Sequence, residues 1–353
     1  MKKEEITPEG TLKVKSNDLN FYILKDNEWS RSRKKIKSTQ KAIDSYKKKG
    51  NIAFLIDDKE NEFLKGKYLP ENIPAGQRIT ILPSGKKISR GGFSLFAKNL
   101  KINTSKKFKW DICYENVSGL KTYLYDEDKI HLEQKRKAKI VDEFEKSYLE
   151  ILEKLEKDIK RTGKIKYLGL AILLKTKMRV GNLEYYLNSK HKGLTTIQKK
   201  DIKIIGNKII IDYIGKDEIP QHKEAEFENY FIEKIKTILD EKENEDFIFT
   251  DLKGLPLHST VFSKILFKYT GKHFYPHIIR SWHADRECKQ FFNYKRKASK
   301  KEVLNKLKQI ANDLGHKKFN KNKNTWEPDY KITVSNYIRP KYYEKMKKLY
   351  EKV

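Results

Sequence analysis

The sequence has very little cysteine. Its 353 residues include two, Cys113 and Cys288, which lie far apart and form no Cys-x-x-Cys motif. A disulfide-stabilised scaffold or a cysteine-based zinc site needs more thiols at closer spacing, so neither is predicted. Unpaired thiols are typical of a reducing compartment.

Long apolar runs are missing as well. No stretch approaches the roughly 20 residues of a transmembrane helix, and the N-terminus lacks the apolar core of a signal peptide. We therefore expect a soluble, intracellular protein without a membrane partner.

Acidic residues are few compared with basic ones. The sequence has 78 Lys and Arg against 48 Asp and Glu, which gives a formal net charge of +30. A biased genome explains why lysine is used in place of arginine, but it does not explain the excess over acids. Each phosphate that a protein neutralises releases counterions and adds affinity. The composition therefore predicts a nucleic-acid-binding protein.

The length and the 37% hydrophobic content predict two folded domains. Residues 1–50 are polar and lysine-rich, and we interpret them as a basic extension. Within residues 51–128, short apolar runs alternate with Pro and Gly, which predicts a small β-rich domain. Its strands are expected at residues 52–56, 79–82 and 120–125.

Residues 129–353 have a mainly helical pattern. One face of a long amphipathic helix is predicted from Ile140, Phe144, Tyr148, Ile151, Leu155 and Ile159, and a buried helix follows at residues 167–177. Gly206-Asn207 predicts a hairpin between residues 202–205 and 208–214. A second turn at Gly215-Lys216-Asp217 extends the hairpin to a three-stranded meander.

Further helices are predicted along the rest of the chain. They cover residues 223–242, 259–270, 276–292 and 299–314, and Gly315 is suited to end the last of these. A short helix from Thr333, a break at Pro340 and a final amphipathic helix complete the prediction. The expected fold class is α+β, with a small β-rich N-terminal domain and a larger, mostly α-helical domain that contains the three-stranded meander.

Several short motifs place phosphate-binding groups in a defined order. Arg179-Val-Gly-Asn182 leaves a fixed cation and free backbone donors at a helix end, which suits a phosphodiester. The motifs that follow are Gly193-Leu-Thr-Thr196, Gly215-Lys216-Asp217, His277-Ile-Ile-Arg280, Leu314-Gly-His316 and Ser335-Asn-Tyr337. Two arginines, a lysine, a histidine and a late tyrosine are the groups needed to break and rejoin a DNA strand without a metal.

Each residue type meets one requirement of that reaction. A tyrosine forms a covalent phosphodiester and so conserves the bond for resealing. Arginines contact two phosphate oxygens and remain charged, which stabilises the charge that develops at phosphorus. A lysine can supply the proton that the departing 5′-oxygen needs.

Together these motifs resemble the type IB topoisomerases, close to the compact viral and bacterial forms. The resemblance rests on Arg179-Val-Gly-Asn-Leu-Glu-Tyr185 with Gly193-Leu-Thr-Thr196, on Asp212-Tyr-Ile-Gly-Lys-Asp217, on Ile279-Arg-Ser-Trp282, on Leu314-Gly-His316 and on Ser335-Asn-Tyr-Ile-Arg-Pro340. Residues 119–125 are similar to the end of the family's N-terminal clamp domain. Coverage extends from about residue 50 to 345.

The resemblance implies a role for each matched residue. Tyr337 is the expected nucleophile, forming a 3′-phosphotyrosyl link, and Lys216 the expected general acid. Arg179, Arg280 and His316 are expected to stabilise the pentacoordinate phosphorus. The residues expected to contact DNA are Lys121, Tyr123, Tyr125, Asn182, Tyr185, Thr195, Thr196 and His277.

The family also implies how the protein works as a whole. We expect a monomer that clamps around double-stranded DNA, with residues 51–128 as the clamp domain and residues 129–353 as the catalytic domain. It is expected to need no ATP, no cofactor and no metal ligand, Mg²⁺ acting at most as a stimulant. A soluble, DNA-associated location follows.

Two other functions remain open at this point. His277-x-x-Arg280 is also carried by tyrosine recombinases, which share the catalytic chemistry, so a site-specific recombinase or integrase is the main alternative. A non-catalytic basic DNA-binding protein is the third. The polar stretch 317–330 is longer than in compact family members, and we interpret it as a surface loop or an additional DNA contact.

Overall fold

The computed structural model describes residues 7–103, 109–116, 119–295 and 297–351. The chain divides into two units, residues 1–135 and 136–353. Both combine helices with antiparallel strands, which confirms the α+β class. Within the described ranges, no helix combines the length and the apolar character required to cross a bilayer.

The first unit is built from short strands around one helix. Strands β1–β5 form one antiparallel sheet in the order β3-β2-β1-β4-β5, and β6–β8 form a second in sequence order. The strands are β1 (Leu12–Val14), β2 (Phe21–Lys25), β3 (Glu28–Arg31), β4 (Lys67–Tyr68), β5 (Pro74–Ala75), β6 (Lys98–Ile102), β7 (Ile112–Glu115) and β8 (Lys121–Leu124).

Residues 7–50 belong to this first unit. Helix α1 (Lys37–Lys48) buries Thr39, Ala42, Ile43 and Tyr46, which share one helical face. Ile43 and Tyr46 lie in the same hydrophobic core as Val14, Phe21 and residues of the 51–124 region. The predicted basic extension is therefore wrong, because the described part of residues 1–50 is folded into the β-rich domain. The lysine-rich composition reflects the outer faces of these elements and not their buried faces.

Two predicted strands of this unit take another form. Residues Ile52–Leu55 form a 3-10 helix, because a four-residue apolar run does not by itself distinguish helix from strand. Residues 79–82 contribute isolated bridges, Ile79 to Phe93 and Ile81 to Lys87, and no continuous ladder. The predicted strand at 120–125 is present as β8.

The second unit is mainly helical. Its helices are α2 (Glu127–Thr162, which begins before residue 136), α3 (Ile165–Thr176), α4 (Leu183–Ser189), α5 (Asn229–Asp240), α6 (Ser259–Thr270), α7 (Ile278–Tyr294), α8 (Lys300–Asp313), α9 (Tyr330–Asn336) and α10 (Pro340–Glu351). The amphipathic face of α2 packs as predicted, with Phe144, Ile151 and Leu155 buried. Helix α3 is buried nearly all round, since it is apolar on every face.

The meander consists of β9 (Ile202–Ile205), β10 (Lys208–Ile214) and β11 (Pro220–Glu226), in the order β11-β10-β9. The predicted helix at 223–242 begins only at Asn229. Residues up to Glu226 pair with β10, from Ile214–Pro220 at the loop to Lys208–Glu226 at the far end. Ladder pairing along the whole of β10 therefore overrides the local helical pattern of residues 223–226.

The C-terminal segment forms its own small core. Tyr337, Ile338, Tyr342 and Met346 pack against α7 and α8 through Cys288 and through apolar residues of α8. Between α8 and α9, the polar stretch after His316 forms a hairpin of β12 (Lys317–Asn320) and β13 (Thr325–Pro328). Pro340 is the first residue of α10, a position whose N–H has no partner within a helix, so proline loses no hydrogen bond there. The predicted break at Pro340 is therefore the N-terminus of a helix.

A buried carboxylate joins α2 to α6 in the second unit. Asp158 is 7% exposed and accepts hydrogen bonds from Arg161 Nη2 (2.8 Å), Lys268 Nζ (2.8 Å) and the Tyr269 hydroxyl (2.9 Å). Burial acts to raise the pKa of Asp158, but these three donors outweigh it and hold the pKa well below its ordinary value.

We predict that Asp158→Asn lowers the free energy of unfolding by roughly 1.5–3 kcal/mol at pH 7, because bonds to a charged acceptor are lost. The folded-state pKa lies below the unfolded one, so this stabilisation is present above pH 3.8 and is lost as the pH falls further. Urea unfolding at several pH values measures it. The exposed Asp240→Asn is the control. A deficit that stays constant down to pH 2 would contradict the prediction.

Candidate active site

One cavity of the second unit brings all the predicted catalytic residues together. Its volume is about 490 Å³, and its lining includes Arg179, Lys216, Arg280, His316 and Tyr337. These residues come from five separate segments spread along the chain from Arg179 to Tyr337. The motif order found in the sequence therefore corresponds to a single site.

Arg179 is held by a close approach of two backbone segments. Leu194 N donates to the Arg179 carbonyl (2.9 Å) and Thr195 N to that of Val180 (2.7 Å). A Cβ on Gly193 would lie 2.5 Å from Gly181 N, so no larger residue fits there. Gly181 itself has a φ of +94°. The spacing of the Arg179 and Gly193 motifs thus reflects a contact between them.

The side chain of Arg179 is half-buried and makes no hydrogen bond or ion pair to any part of the chain that the structure describes. Helix α3 ends just before it, with Lys177 in the left-handed conformation. Asn182 caps the next helix, its Oδ1 accepting from Tyr185 N at 3.2 Å. Arg179 therefore points a free cation into the cavity from a rigid turn between α3 and α4.

Arg280 is the most buried cation of the site, with 2% of its surface exposed. It lies in the first turn of α7. Its Nη1 donates to the Lys177 carbonyl (2.6 Å) and its Nη2 to the Leu314 carbonyl (2.8 Å). Its Nε is buried without a partner among the described residues. A buried guanidinium with a spare donor and no carboxylate bonded to it is suited to receive an anionic ligand.

His316 follows α8, whose C-terminus is turned by Gly315 at a φ of +67°. Its Nε2 lies 3.0 Å from Arg280 Nη2 and its Nδ1 2.8 Å from Thr333 Oγ1. A guanidinium has no acceptor, so Nε2 accepts and Nδ1 carries the proton. Burial and the charges of Arg280 and Arg179 lower the pKa of His316 to about 2. The ring is therefore neutral while no anion is bound.

Tyr337 lies at the end of α9 with its ring inside the cavity, 6% exposed. Its ring centroid is 4.7 Å from that of His316 and 5.2 Å from Arg280 Cζ. Burial acts to raise the pKa of Tyr337, but the charges of Arg280, Arg179 and Lys137 outweigh it and lower the pKa below its usual value. The surrounding cations therefore make the phenolate, the nucleophilic form, easier to reach than in a free tyrosine.

Lys216 occupies the loop between β10 and β11, where it begins a 3-10 turn (Lys216–Glu218). The two following residues, Asp217 and Glu218, have φ values of 62° and 58°, a conformation that non-glycine residues rarely adopt. Lys216 is exposed and makes no ion pair with the described residues. Its ammonium is thus free to approach a ligand in the cavity.

The comparison with known families identifies the chain. The sequence matches the family described as "Eukaryotic DNA topoisomerase I, catalytic core" over residues 120–350. The chain belongs to this topoisomerase family. The match covers the whole of the site above, so the family resemblance found from the motifs is confirmed.

Individual relatives are more distant. The DNA topoisomerase 1 of Rabbit fibroma virus (strain Kasza) is 25% identical over 150 residues, which is 40% of this chain and 46% of the viral protein. The chain thus spans about half the length of this curated relative.

Among solved structures, the XerH site-specific recombinase bound to difH substrate in a pre-cleavage complex is 17% identical, with a TM-score of 0.33, over 50% of this chain and 46% of that one. Its post-cleavage complex with a palindromic difH substrate gives the same identity and TM-score, over 50% and 45%.

The predicted DNA contacts lie on the first unit, around the cavity of the second unit, or buried beneath the Arg179 turn. Lys121, Tyr123 and Tyr125 are on or beside β8 of the first unit, where Tyr123 is 43% exposed. Tyr185 is 70% exposed near the Arg179 turn, and the ring of His277 lies 5.3 Å from that of Tyr337. Desolvation by the residues packed around the ring and the charges of Arg280 and Arg179 lower the pKa of His277.

Thr195 and Thr196 differ from the prediction, because both are fully buried. Thr196 Oγ1 accepts from Gly193 N at 3.0 Å. Both hydroxyls would lie 3.1 Å from a Cβ placed on Gly181. With no surface left for DNA, Thr196 instead holds the turn that carries Arg179 through its hydroxyl, and Thr195 holds it through its backbone N–H. The tight glycine contact explains their burial.

Sequence reasoning missed several cations and acids that support the site. Lys223 of β11 is 6% exposed and donates to the carbonyls of Asn312 and Asp313 at the end of α8. Burial and the charge of Arg280 lower the pKa of Lys223 to about 7. Asp285 of α7 and Lys137 of α2 approach the two flanks of Tyr337. No local pattern distinguishes these residues, since each acts through a partner far away in the sequence.

No group of three or more His, Cys, Asp or Glu in the described ranges is arranged to hold a metal ion.

We predict that Gly193→Ala lowers the free energy of unfolding by about 1–3 kcal/mol and greatly reduces DNA cleavage. Its Cβ would lie 2.5 Å from Gly181 N and 2.8 Å from the Arg179 carbonyl, so the Arg179 turn has to move. Thermal unfolding and single-turnover cleavage measure the two effects.

Gly271→Ala is the matched control. Gly271 has a φ of +66°, and a Cβ at this position would have no neighbour within 4 Å. The variant should lose stability through backbone strain of about 1 kcal/mol and keep normal cleavage. Equal cleavage in the two variants would show that the glycine contact does not position Arg179.

Proposed function

We propose that this topoisomerase relaxes supercoiled duplex DNA by cutting one strand, allowing rotation and resealing the cut through a 3′-phosphotyrosyl intermediate. The observation that carries the proposal is the placement of the Tyr337 ring in one cavity with Arg179, Lys216, Arg280 and His316. The family supports the same reading. An oxygen nucleophile, three phosphate-binding groups and a proton donor are the full requirement for metal-free transesterification.

The proposed reaction balances without a co-reactant. Tyr337 Oη gives its proton to solvent water and attacks the phosphorus of the scissile phosphodiester. The bond from phosphorus to the 5′-oxygen breaks, and Lys216 gives that oxygen a proton. Resealing reverses each step, with the 5′-hydroxyl as nucleophile and the phenolate as leaving group. No bond energy is lost, so ATP is not needed.

The cations are proposed to act on the non-bridging oxygens. Arg280 Nε, which has no partner among the described residues, and the free guanidinium of Arg179 are available donors. Such preorganised donors contribute roughly 100-fold to 1000-fold each to rate. His316 Nε2 accepts from Arg280 in the DNA-free state. It has to gain a proton or change tautomer before it donates to phosphate, and a bound anion favours that change.

The partner is proposed to be double-stranded DNA, bound by a monomer through phosphate contacts. The net charge of +30 and exposed residues such as Lys121, Tyr123 and Tyr185 support this. Tyr125, Asn182 and His277 are proposed as further contacts. We propose that no cofactor or metal is essential, and that the protein acts in an intracellular, DNA-containing compartment.

The first prediction of the proposed function is relaxation of a supercoiled plasmid in EDTA, without ATP and without a specific recombination site. On a suicide duplex, whose cut end cannot be resealed, we expect a covalent adduct at Tyr337. Tyr337→Phe should abolish both the adduct and relaxation, because it removes the attacking oxygen. Non-covalent DNA binding should be retained.

Tyr343→Phe is the control, since it alters a tyrosine of α10 outside the cavity by the same atom. The modified peptide is mapped by mass spectrometry. Adduct formation only on paired specific sites would favour the recombinase. DNA binding with no adduct on any substrate would favour the non-catalytic protein.

A second prediction concerns the proton donor. Lys216→Ala should slow cleavage by about 100-fold or more, because general acid catalysis of the leaving 5′-oxygen is lost. A substrate with a bridging 5′-sulfur has a leaving group that needs no proton. Cleavage of that substrate should be nearly equal in Lys216→Ala and wild type.

Lys203→Ala, an exposed lysine on β9 of the same sheet, is the control and should cleave both substrates normally. An equally slow Lys216→Ala on the sulfur substrate would assign Lys216 to phosphate binding and not to proton transfer.

A further inference from the structure

Lys137 of α2 contacts the chain directly before the nucleophile. Its Nζ donates to the Asn336 carbonyl at 2.6 Å, across a sequence separation of 199 residues. The same Nζ lies 5.3 Å from the centroid of the Tyr337 ring. No motif in the sequence pointed to this lysine.

The contact supplies a hydrogen-bond donor to a backbone carbonyl at the C-terminal end of α9. Asn336 is the last residue of α9, so its carbonyl accepts no hydrogen bond from a backbone N–H of the helix. An ammonium at that end also meets the negative end of the helix dipole. Lys137 therefore holds the residue next to Tyr337 through a charge-assisted bond.

The other flank of Tyr337 is held as well. Arg339 donates to Asp285 of α7 through its backbone N (2.8 Å) and its Nε (2.6 Å). Its Nη1 donates to Asp142 at 2.9 Å. Asp142 and Lys137 are both on α2, so one helix is bonded to the chain on each side of the nucleophile.

We propose that Lys137 is a positioning residue for the cleavage reaction, which fixes the Tyr337 backbone and stabilises the negative charge that develops on its phenolic oxygen. The inference rests on the proposed function, because it concerns the same nucleophile. Lys137 is half-buried, and its hydrogen-bond partner is a carbonyl and not a carboxylate. Its charge is therefore not neutralised by that bond and acts on the nearby ring.

The surroundings of Tyr337 support this role. The titratable and charged groups that face it are Lys137 from α2, Arg179 from the α3–α4 turn, His277 and Arg280 from the start of α7, and His316 from the end of α8. Burial lowers the pKa of Lys137, whereas Tyr337 and Asp285 act in the opposite direction. Of the three cations acting on the phenol, Lys137 is the one not expected to bind the scissile phosphate.

The test is single-turnover cleavage of a suicide duplex by the full chain between pH 6 and 10. Lys137→Met keeps the length of the side chain but removes its charge. We expect a roughly 10-fold to 100-fold slower cleavage at pH 7, because the phenolate loses one of the three cations that stabilise it. The rise of rate with pH should move to higher pH. DNA affinity, measured in a Tyr337→Phe background, should change less than about twofold.

Three variants serve as controls. Lys137→Arg keeps the charge and should recover most of the rate. Lys137→Gln keeps a hydrogen-bond donor without charge, so it should show the same pH shift even if Lys137→Met does not fold. Lys139→Met, at an exposed neighbouring position on α2, should behave as wild type.

A purely structural lysine would lower the melting temperature but leave the pH profile unchanged. Superimposable profiles of wild type, Lys137→Met and Lys137→Gln would therefore overturn the proposal, while wild-type cleavage would keep the proposed function intact. Wild-type protein that forms no adduct would overturn both.

Discussion

The site depends on one buried charge, the guanidinium of Arg280. It bonds to the carbonyls of Lys177 and Leu314, which are the C-terminal caps of α3 and α8, and to the ring of His316. Helix C-termini carry partial negative charge, so a cation between two of them is stabilised without a carboxylate. Because no acid neutralises it there, the net positive charge remains available to an anion.

The bonds of Arg280 to these two helix ends also determine the positions and the charge states of its neighbours. The two helix ends carry the segments of Arg179 and His316, so fixing the ends also fixes both side chains. Burial lowers the pKa of His316 and acts to raise that of Tyr337, but the positive charge of Arg280 lowers the pKa of both groups. An acidic residue in place of His316 or Tyr337 would cancel the positive potential around Arg280. The site is therefore organised for an anionic ligand.

The sequence revealed the residues that face the ligand better than those that hold them. Arg179, Lys216, Arg280, His316 and Tyr337 belong to short motifs whose order is sufficient to recognise them, and helix α6 was predicted with the bounds that it has. These features depend on local patterns. A motif whose glycines allow a close contact remains visible without any knowledge of the fold.

The remaining features depend on distant partners. Lys137 and Asp285 are inconspicuous until the fold places them beside Asn336 and Arg339, and 78 basic residues offer no basis for choosing one. Residues 7–50 were assigned by charge, although their buried face decides where they pack. Residues 223–226 follow β10 because strand pairing outweighs their helical tendency. Thr195 and Thr196 were matched by motif, but their burial depends on Gly181.

Strand β11 is fastened along its length to the region around His316. Lys317 Nζ donates to the Pro220 carbonyl (2.9 Å), Gln221 Nε2 to that of Gly315 (3.0 Å), and Lys223 to the end of α8. The Lys216 loop begins where these ties stop. Residues 215–219 are closed into a short loop by the hydrogen bond from Gly215 N to the Ile219 carbonyl (2.9 Å), so the ammonium of Lys216 can move only as far as this loop allows. The ammonium therefore stays close to the cavity that Lys216 and His316 both line.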